Sequence, residues 1–197
     1  MYSVENLNMQ KILLHICCGP CGTHPATLLA ADYDIVGYFY NPNIWPYEEW
    51  LKRFDAFAKF AAAANSPLKD FFPKNPMTAE EYAAEHQKYL EIVRELEKEP
   101  EGGARCSVCF KFRLDETARF AKEIGADIFA TTLTIGRNKR PETINPLGLA
   151  SAEKYGVKFL EANFKKQDGF LKGKKIADEH GLYRQHYCGC EFSVRNP

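Results

Sequence analysis

The residues best equipped for chemistry are seven cysteines in three groups: Cys17, Cys18 and Cys21 as C-C-x-x-C, Cys106 and Cys109 as C-x-x-C, and Cys188 and Cys190 as C-x-C. Thiolates are nucleophiles, redox couples and soft metal ligands. In a reducing compartment clustered cysteines are metal ligands or redox catalysts more often than structural disulfides, and the odd count agrees. Cys106 and Cys109 are three residues apart, so one helical turn places both on one face, where they suit neighbouring irons of a cluster or one zinc. With a pair from the first group they make a four-thiolate shell, which fits zinc and iron–sulfur clusters alike. Cys188 and Cys190 in extended chain point the same way, with Gly189 allowing a tight fold between them. A disulfide across so small a loop is strained and easily reduced, which suits a catalytic dithiol; the alternative is a further metal ligand.

These groups need a scaffold. Residues 11–18 read as a short buried strand, and the glycine turn after them opens a helix. Residues 34–40 read as a second strand, 47–64 as a helix and 68–72 as a third strand. Thr78 caps a long acidic helix through Glu99, with Glu81 completing a capping box. A helix follows from Cys106 to Gly125, then a strand over 127–134, a helix near 142–155, a strand at 157–162 and a helix near 169–181. Strands alternating with helices predict an α/β fold: a Rossmann-like parallel sheet covered on both faces, in a single domain over 1–197 with a C-terminal cysteine tail. The first cysteine group then lies at the carboxyl end of the first strand, where such sheets place their ligands.

At 197 residues, 45% hydrophobic and 26% charged, the chain has the composition of a folded soluble protein. Residues 12–31 carry no charge but hold Gly19, Pro20, Gly22, Pro25, His15 and His24, which argues against a membrane span. Glu5 before the single Lys11 argues against a signal peptide, so the expected compartment is the cytoplasm. No phosphate loop of the G-x-x-x-x-G-K-[ST] type and no G-x-G-x-x-G occurs, so nucleotide use has no support. His15 reads as a core residue, His24 and His186 as neighbours of the cysteines, and His86 and His180 as surface residues. The charges cancel overall, 26 against 26, yet they are unevenly placed. Residues 79–101 hold eight Glu against Lys88, Arg94 and Lys98, a solvated face, while residues 137–175 carry a net +6, including Arg137, Lys139 and Arg140. Arg184 and Arg195 extend the basic region, and Tyr183, Tyr187 and Phe192 offer stacking faces, a pattern that suits nucleic acid.

The blocks LLHICCGPC, FYNPNIWPYEEWLKR, GGARCSVCFKFRL, TTLTIG, FKKQDG and YRQHYCGCEFS, in this order from about residue 11 to 193, resemble the QueH-type epoxyqueuosine reductases. The resemblance implies an adenine-nucleotide alpha-hydrolase-like fold and the cobalamin-independent reduction of epoxyqueuosine to queuosine in the tRNA anticodon loop. It also implies a [4Fe-4S] cluster with a second mononuclear metal, iron, close by, and an electron donor that the sequence leaves unidentified. Cys17, Cys18, Cys106 and Cys109 match the cluster positions, Cys21 belongs beside the cluster on the second metal, and Cys188 with Cys190 match the redox-active pair. Substrate contacts are expected at Asn41, Asn43, Lys165, Lys166, Arg184 and Gln185. His186 stands where Asp or Asn is common, and Asn163 where Asp is common. The alternatives are a cluster-dependent tRNA thiolation enzyme, which would need a nucleotide-activation loop, and a zinc-stabilised RNA-binding module without catalysis.

Overall fold

The computed structural model describes residues 9–136 and 138–194; Glu5, Arg137 and Arg195 lie outside the described residues. Five parallel strands make one sheet: β1 (Gln10–His15), β2 (Tyr33–Tyr38), β3 (Leu68–Phe72), β4 (Ile128–Thr131) and β5 (Lys158–Phe159), in the order β3-β2-β1-β4-β5. The chain winds outward in both directions from β1, so a crevice opens at the carboxyl ends of β1 and β4. The doubly wound parallel architecture is the one the alternating elements predict.

Alternation along the strands sets the two layers. Ile12, Leu14 and Ile16 join one core with α1 (Gly19–Leu29), α2 (Tyr47–Ala61) and α6 (Gly169–Glu179). Leu13 and Phe129 join the other with α4 (Ala104–Glu123) and α5 (Pro141–Tyr155). Helix α3 (Ala79–Ile92) carries Tyr82, His86 and Tyr89 as its buried face. α1 begins against α2 with no room to spare: a Cβ on Gly19 would stand 2.7 Å from the Ala56 carbonyl carbon and oxygen. That contact fixes where the first cysteine group leaves the sheet.

Several boundaries differ from expectation, among them the ends of β2, α2 and β5, which stop at Tyr38, Ala61 and Phe159. β1 ends at His15 and not at residue 18, because Ile16 to Cys18 turn out of the sheet into α1. The capping box at Thr78 and Glu81 is present, but α3 stops at Ile92. The next residues are held by Arg105, buried in α4, whose Nη1 donates to the carbonyls of Leu96, Glu97 and Glu99. β4 ends at Thr131, whose hydroxyl accepts the Leu133 N–H and starts a 3-10 turn over Thr132–Ile135. Among the described residues no helix is long and apolar enough to cross a membrane.

Candidate metal centre

The turn out of β1 brings the first cysteine group together. The Sγ atoms of Cys17, Cys18 and Cys21 all lie within 4.8 Å of one another. Cys18 is the extended residue before α1, and Cys21 follows on the first turn of that helix. The group is gripped from three sides. Thr132 accepts the Cys17 N–H at 3.3 Å and points its hydroxyl at the Cys17 sulfur, 3.7 Å away. Gln185 Nε2 donates to Cys18 Sγ at 3.0 Å, and Lys139 Nζ lies 3.9 Å from Cys17 Sγ. Hydrogen bonds from Cys18 and Cys21, reinforced by the Lys139 ammonium, hold Cys17 well below the usual thiol range. Burial and the neighbouring Cys17 charge push Cys18 up to about 12. Cys21 rises as the donor to the same charge. Of the three thiols Cys17 is the one that gives up its proton most readily.

The second group stands on the first turns of α4. The Gly102 N–H donates to Cys106 Sγ at 3.2 Å, which the glycine backbone of the preceding turn permits. Cys106 packs in the same apolar cluster as Cys17 and Cys18. Cys109 packs with Cys190, Tyr89 and Val93, and burial pushes its thiol up to about 11. The Tyr89 phenol is held well above its usual range, first by burial and then by Cys109 and Cys190.

The cysteine tail reaches this place through Arg53 of α2. That guanidinium is buried, donates from Nε to Glu49 at 2.7 Å, and spends Nη1 and Nη2 on the carbonyls of Cys188 and Tyr187 at 2.9 and 3.2 Å. Tyr183 completes the clamp by donating to the other Glu49 oxygen at 2.7 Å. Gly189 has φ +136°, and a Cβ there would meet Arg53 Nη1 at 2.9 Å, so glycine is required on both counts. Cys188 thereby comes within electrostatic reach of Cys106, Cys109, Arg113 and Lys139.

Arg113 ties two of the groups together. Its Nε donates to the Cys109 carbonyl at 3.3 Å and its Nη1 to Asn41 Oδ1 at 3.2 Å, while Asn41 Nδ2 donates to the Ile16 carbonyl at 2.9 Å. Nη2 is buried without a partner. Burial works against the charge of Arg113, but the thiols Cys109, Cys188 and Cys17 outweigh it. The same holds for Lys139, with Cys17 and Cys188 as its neighbours. Among the described residues neither cation has a carboxylate within salt-bridge distance. Uncompensated cations are costly away from water, and the charges that offset buried Arg113 and half-buried Lys139 are those of the nearby sulfurs. The donor set therefore fits a soft, anionic metal–thiolate centre.

The sequence comparisons agree with this geometry. Residues 12–196 match the model of the family described as epoxyqueuosine reductase QueH. The chain belongs to the QueH family. It is 39% identical over 187 residues to the epoxyqueuosine reductase QueH of Streptococcus pyogenes, covering 94% of this chain and 71% of that one. It is 36% identical over 186 residues to the protein of that name from Thermotoga maritima, covering 94% and 91%. With the Acinetobacter baylyi protein of the same name the identity is 36% over 191 residues, covering 96% and 83%.

The residues expected to touch substrate stand in different surroundings in this QueH-family chain. Asn41 is 1% exposed, and its amide links Ile16 to Arg113. Asn43 is also buried, with Oδ1 unpartnered. Gln185 touches Cys18, and Lys165 Nζ donates to the Lys139 carbonyl at 2.7 Å, steadying the loop that brings Lys139 to Cys17. Lys166 and Arg184 are on the surface, Arg184 with Asp178 at 3.8 Å. Of the stacking candidates, Tyr187 is covered by Arg53 at 5.1 Å and Phe192 by Arg105 at 5.1 Å.

The histidines also divide. His15 is a core residue, bonded to Thr131 at 2.8 Å and to the Tyr40 carbonyl at 3.1 Å, and burial with the Arg113 charge lowers it to about 3. His86, expected at the surface, is buried between Tyr82 and Tyr89 and bonded to the Pro42 carbonyl at 2.7 Å, because α3 turns that face inward. His24 lies against Gly169 and Gly173 of α6, and Asn163 accepts the Lys165 N–H. Arg53, Arg113 and Thr132 escaped sequence reading. A guanidinium in the apolar face of a predicted helix, as at Arg53 and Arg113, was the available signal.

The protonation pattern makes a prediction. A metal bound by Cys17, Cys18 and Cys21 must displace thiol protons, most of all those of Cys18 and Cys21, whose shifts run upward. Cobalt(II) uptake by the metal-free protein should therefore release protons at neutral pH, and its affinity should rise as pH rises. Calorimetry in buffers of different ionisation enthalpy measures this. Release of none, or affinity that falls with pH, would contradict the arrangement.

Proposed function

We propose that this chain is a cytoplasmic, cobalamin-independent reductase that converts epoxyqueuosine to queuosine in the anticodon loop of tRNA. The observation that carries the reading is the meeting of three distant cysteine groups around Arg113 and Lys139 at the carboxyl edge of a parallel sheet. Family membership supplies the reaction. Cys17, Cys18, Cys106 and Cys109 would hold a [4Fe-4S] cluster, with Cys21 beside it for a second iron. Such a centre, when bound, supplies electrons and an open Lewis-acidic position for the epoxide oxygen.

The remaining work belongs to the protein. Reduction of the epoxide takes two electrons and two protons, breaks both C–O bonds, and leaves an alkene and water. Oxidation of Cys188 and Cys190 to a disulfide releases the same two electrons and two protons, so the dithiol balances one turnover. An external reductant then returns the pair. Arg53 holds the tail backbone in register, and Lys139 with Arg113 keeps negative charge favourable where the oxygen leaves.

A mononuclear metal on Cys17, Cys18 and Cys21 alone is favoured by the 4.8 Å grouping of their sulfurs, since thiolates on one tetrahedral ion lie about this close. Anaerobic reconstitution separates the readings. We expect a brown protein with at least four irons and with acid-labile sulfide, which removes one oxygen from epoxyqueuosine in tRNA, as seen by mass spectrometry of the digested nucleosides. A colourless protein with one stoichiometric zinc and no turnover would overturn the reductase.

A further inference from the structure

We infer that the indole of Trp45 is the platform on which a nucleobase of the RNA stacks beside the thiol centre. The inference rests on the RNA reading above. Single exposed apolar residues ordinarily need no explanation, but Trp45 is fastened to the functional tail at both backbone groups. Its N–H donates to the Gly189 carbonyl at 2.9 Å, and its carbonyl accepts the Tyr187 hydroxyl. The loop behind it is equally fixed, with Ile44 buried and its carbonyl accepting the Tyr82 hydroxyl at 2.6 Å. Yet the side chain is 42% exposed.

Trp50 shows the contrast. It is 1% exposed and stacked on Phe54 at 5.5 Å, inside the aromatic core. The Trp45 ring takes no part in that core, so the fold immobilises its backbone and leaves its face open. A rigid aromatic face loses little entropy on binding. Unpaired bases of an RNA loop are the flat partners that such faces take up, with affinity little dependent on sequence. Exposed Lys52, 5.9 Å from the Tyr183 ring of the same tail, and exposed Arg184 provide cations for the phosphates. The platform adjoins Cys188, where a base flanking the modified nucleoside must lie if that nucleoside reaches the sulfurs.

The test uses the reconstituted full chain and an anticodon stem–loop RNA. Only two tryptophans exist, and Trp50 is buried, so RNA should quench the exposed component of the emission. Trp45→Ala should weaken binding by about tenfold or more, the loss of one base–aromatic stack, while the slope of log affinity against log salt stays unchanged. Trp45→Phe should restore most of the affinity. Lys166→Ala and Arg184→Ala serve as the contrast, each lowering the slope by roughly 0.7 if it contacts a phosphate. If RNA binds but Trp45→Ala keeps wild-type affinity, or the emission does not change, the platform is wrong and the RNA reading survives. If the wild-type protein binds no RNA, both fall.

Discussion

Cys106→Ser and Cys109→Ser should each leave the reconstituted protein with less than about half of its iron, because a hard hydroxyl is a poor substitute for a thiolate on a soft metal. The two thiols project from the first turns of α4, and Arg113 joins the Cys109 carbonyl through Asn41 to the strand end that carries Cys17. Loss of either sulfur opens a shell that the backbone still holds in place. The folded domain should survive with some loss of stability, since each serine puts one hydroxyl into an apolar cluster but leaves the parallel sheet intact. Iron and sulfide analysis after anaerobic loading, with circular dichroism as the control, gives the answer. Unchanged iron in both variants would remove the second cysteine group from the centre.

Cys188→Ser should abolish turnover, by at least about a thousandfold, while the visible absorption of the loaded protein stays largely intact. Cys188 is half-buried and its backbone is clamped by Arg53, so a serine there fits without repacking. Cys190 is the less clean position. It is buried against Cys109, Tyr89 and Val93, where a serine hydroxyl adds a polar group to an apolar site. The expected result for Cys190→Ser is the same loss of turnover, with some loss of stability besides. If Cys188→Ser bleaches the protein, the tail supplies a metal ligand, and the electrons must come from elsewhere. Single-turnover assays without added reductant sharpen the distinction: a dithiol source predicts one equivalent of product from the reduced wild type and none from Cys188→Ser.

Much of the architecture was legible because local signals suffice for it. Short continuous apolar runs at 12–14 and 35–38, the Thr78–Glu81 box and the glycines after the strands each act over a few residues. The three cysteine groups were visible for the same reason, since their spacings are local, but Cys106 and Cys109 pack into different clusters and Gly189 at φ +136° breaks the extended chain expected between Cys188 and Cys190. What only the tertiary structure decided is which distant segments meet. Arg53 is 135 residues from the Cys188 carbonyl it holds, Arg113 is 72 from Asn41, and Lys139 is 122 from Cys17. No short-range pattern encodes such pairs: a guanidinium on the apolar face of a helix signals burial, but not which distant group it will bond. The winding of the sheet outward from β1 made them neighbours, and there Arg53 meets Glu49 and the tail carbonyls, Arg113 the Cys109 carbonyl and Asn41, and Lys139 the Cys17 sulfur. Asn41 illustrates the same physics in reverse: a polar residue expected to touch substrate became an internal link because burial left its amide no water to face.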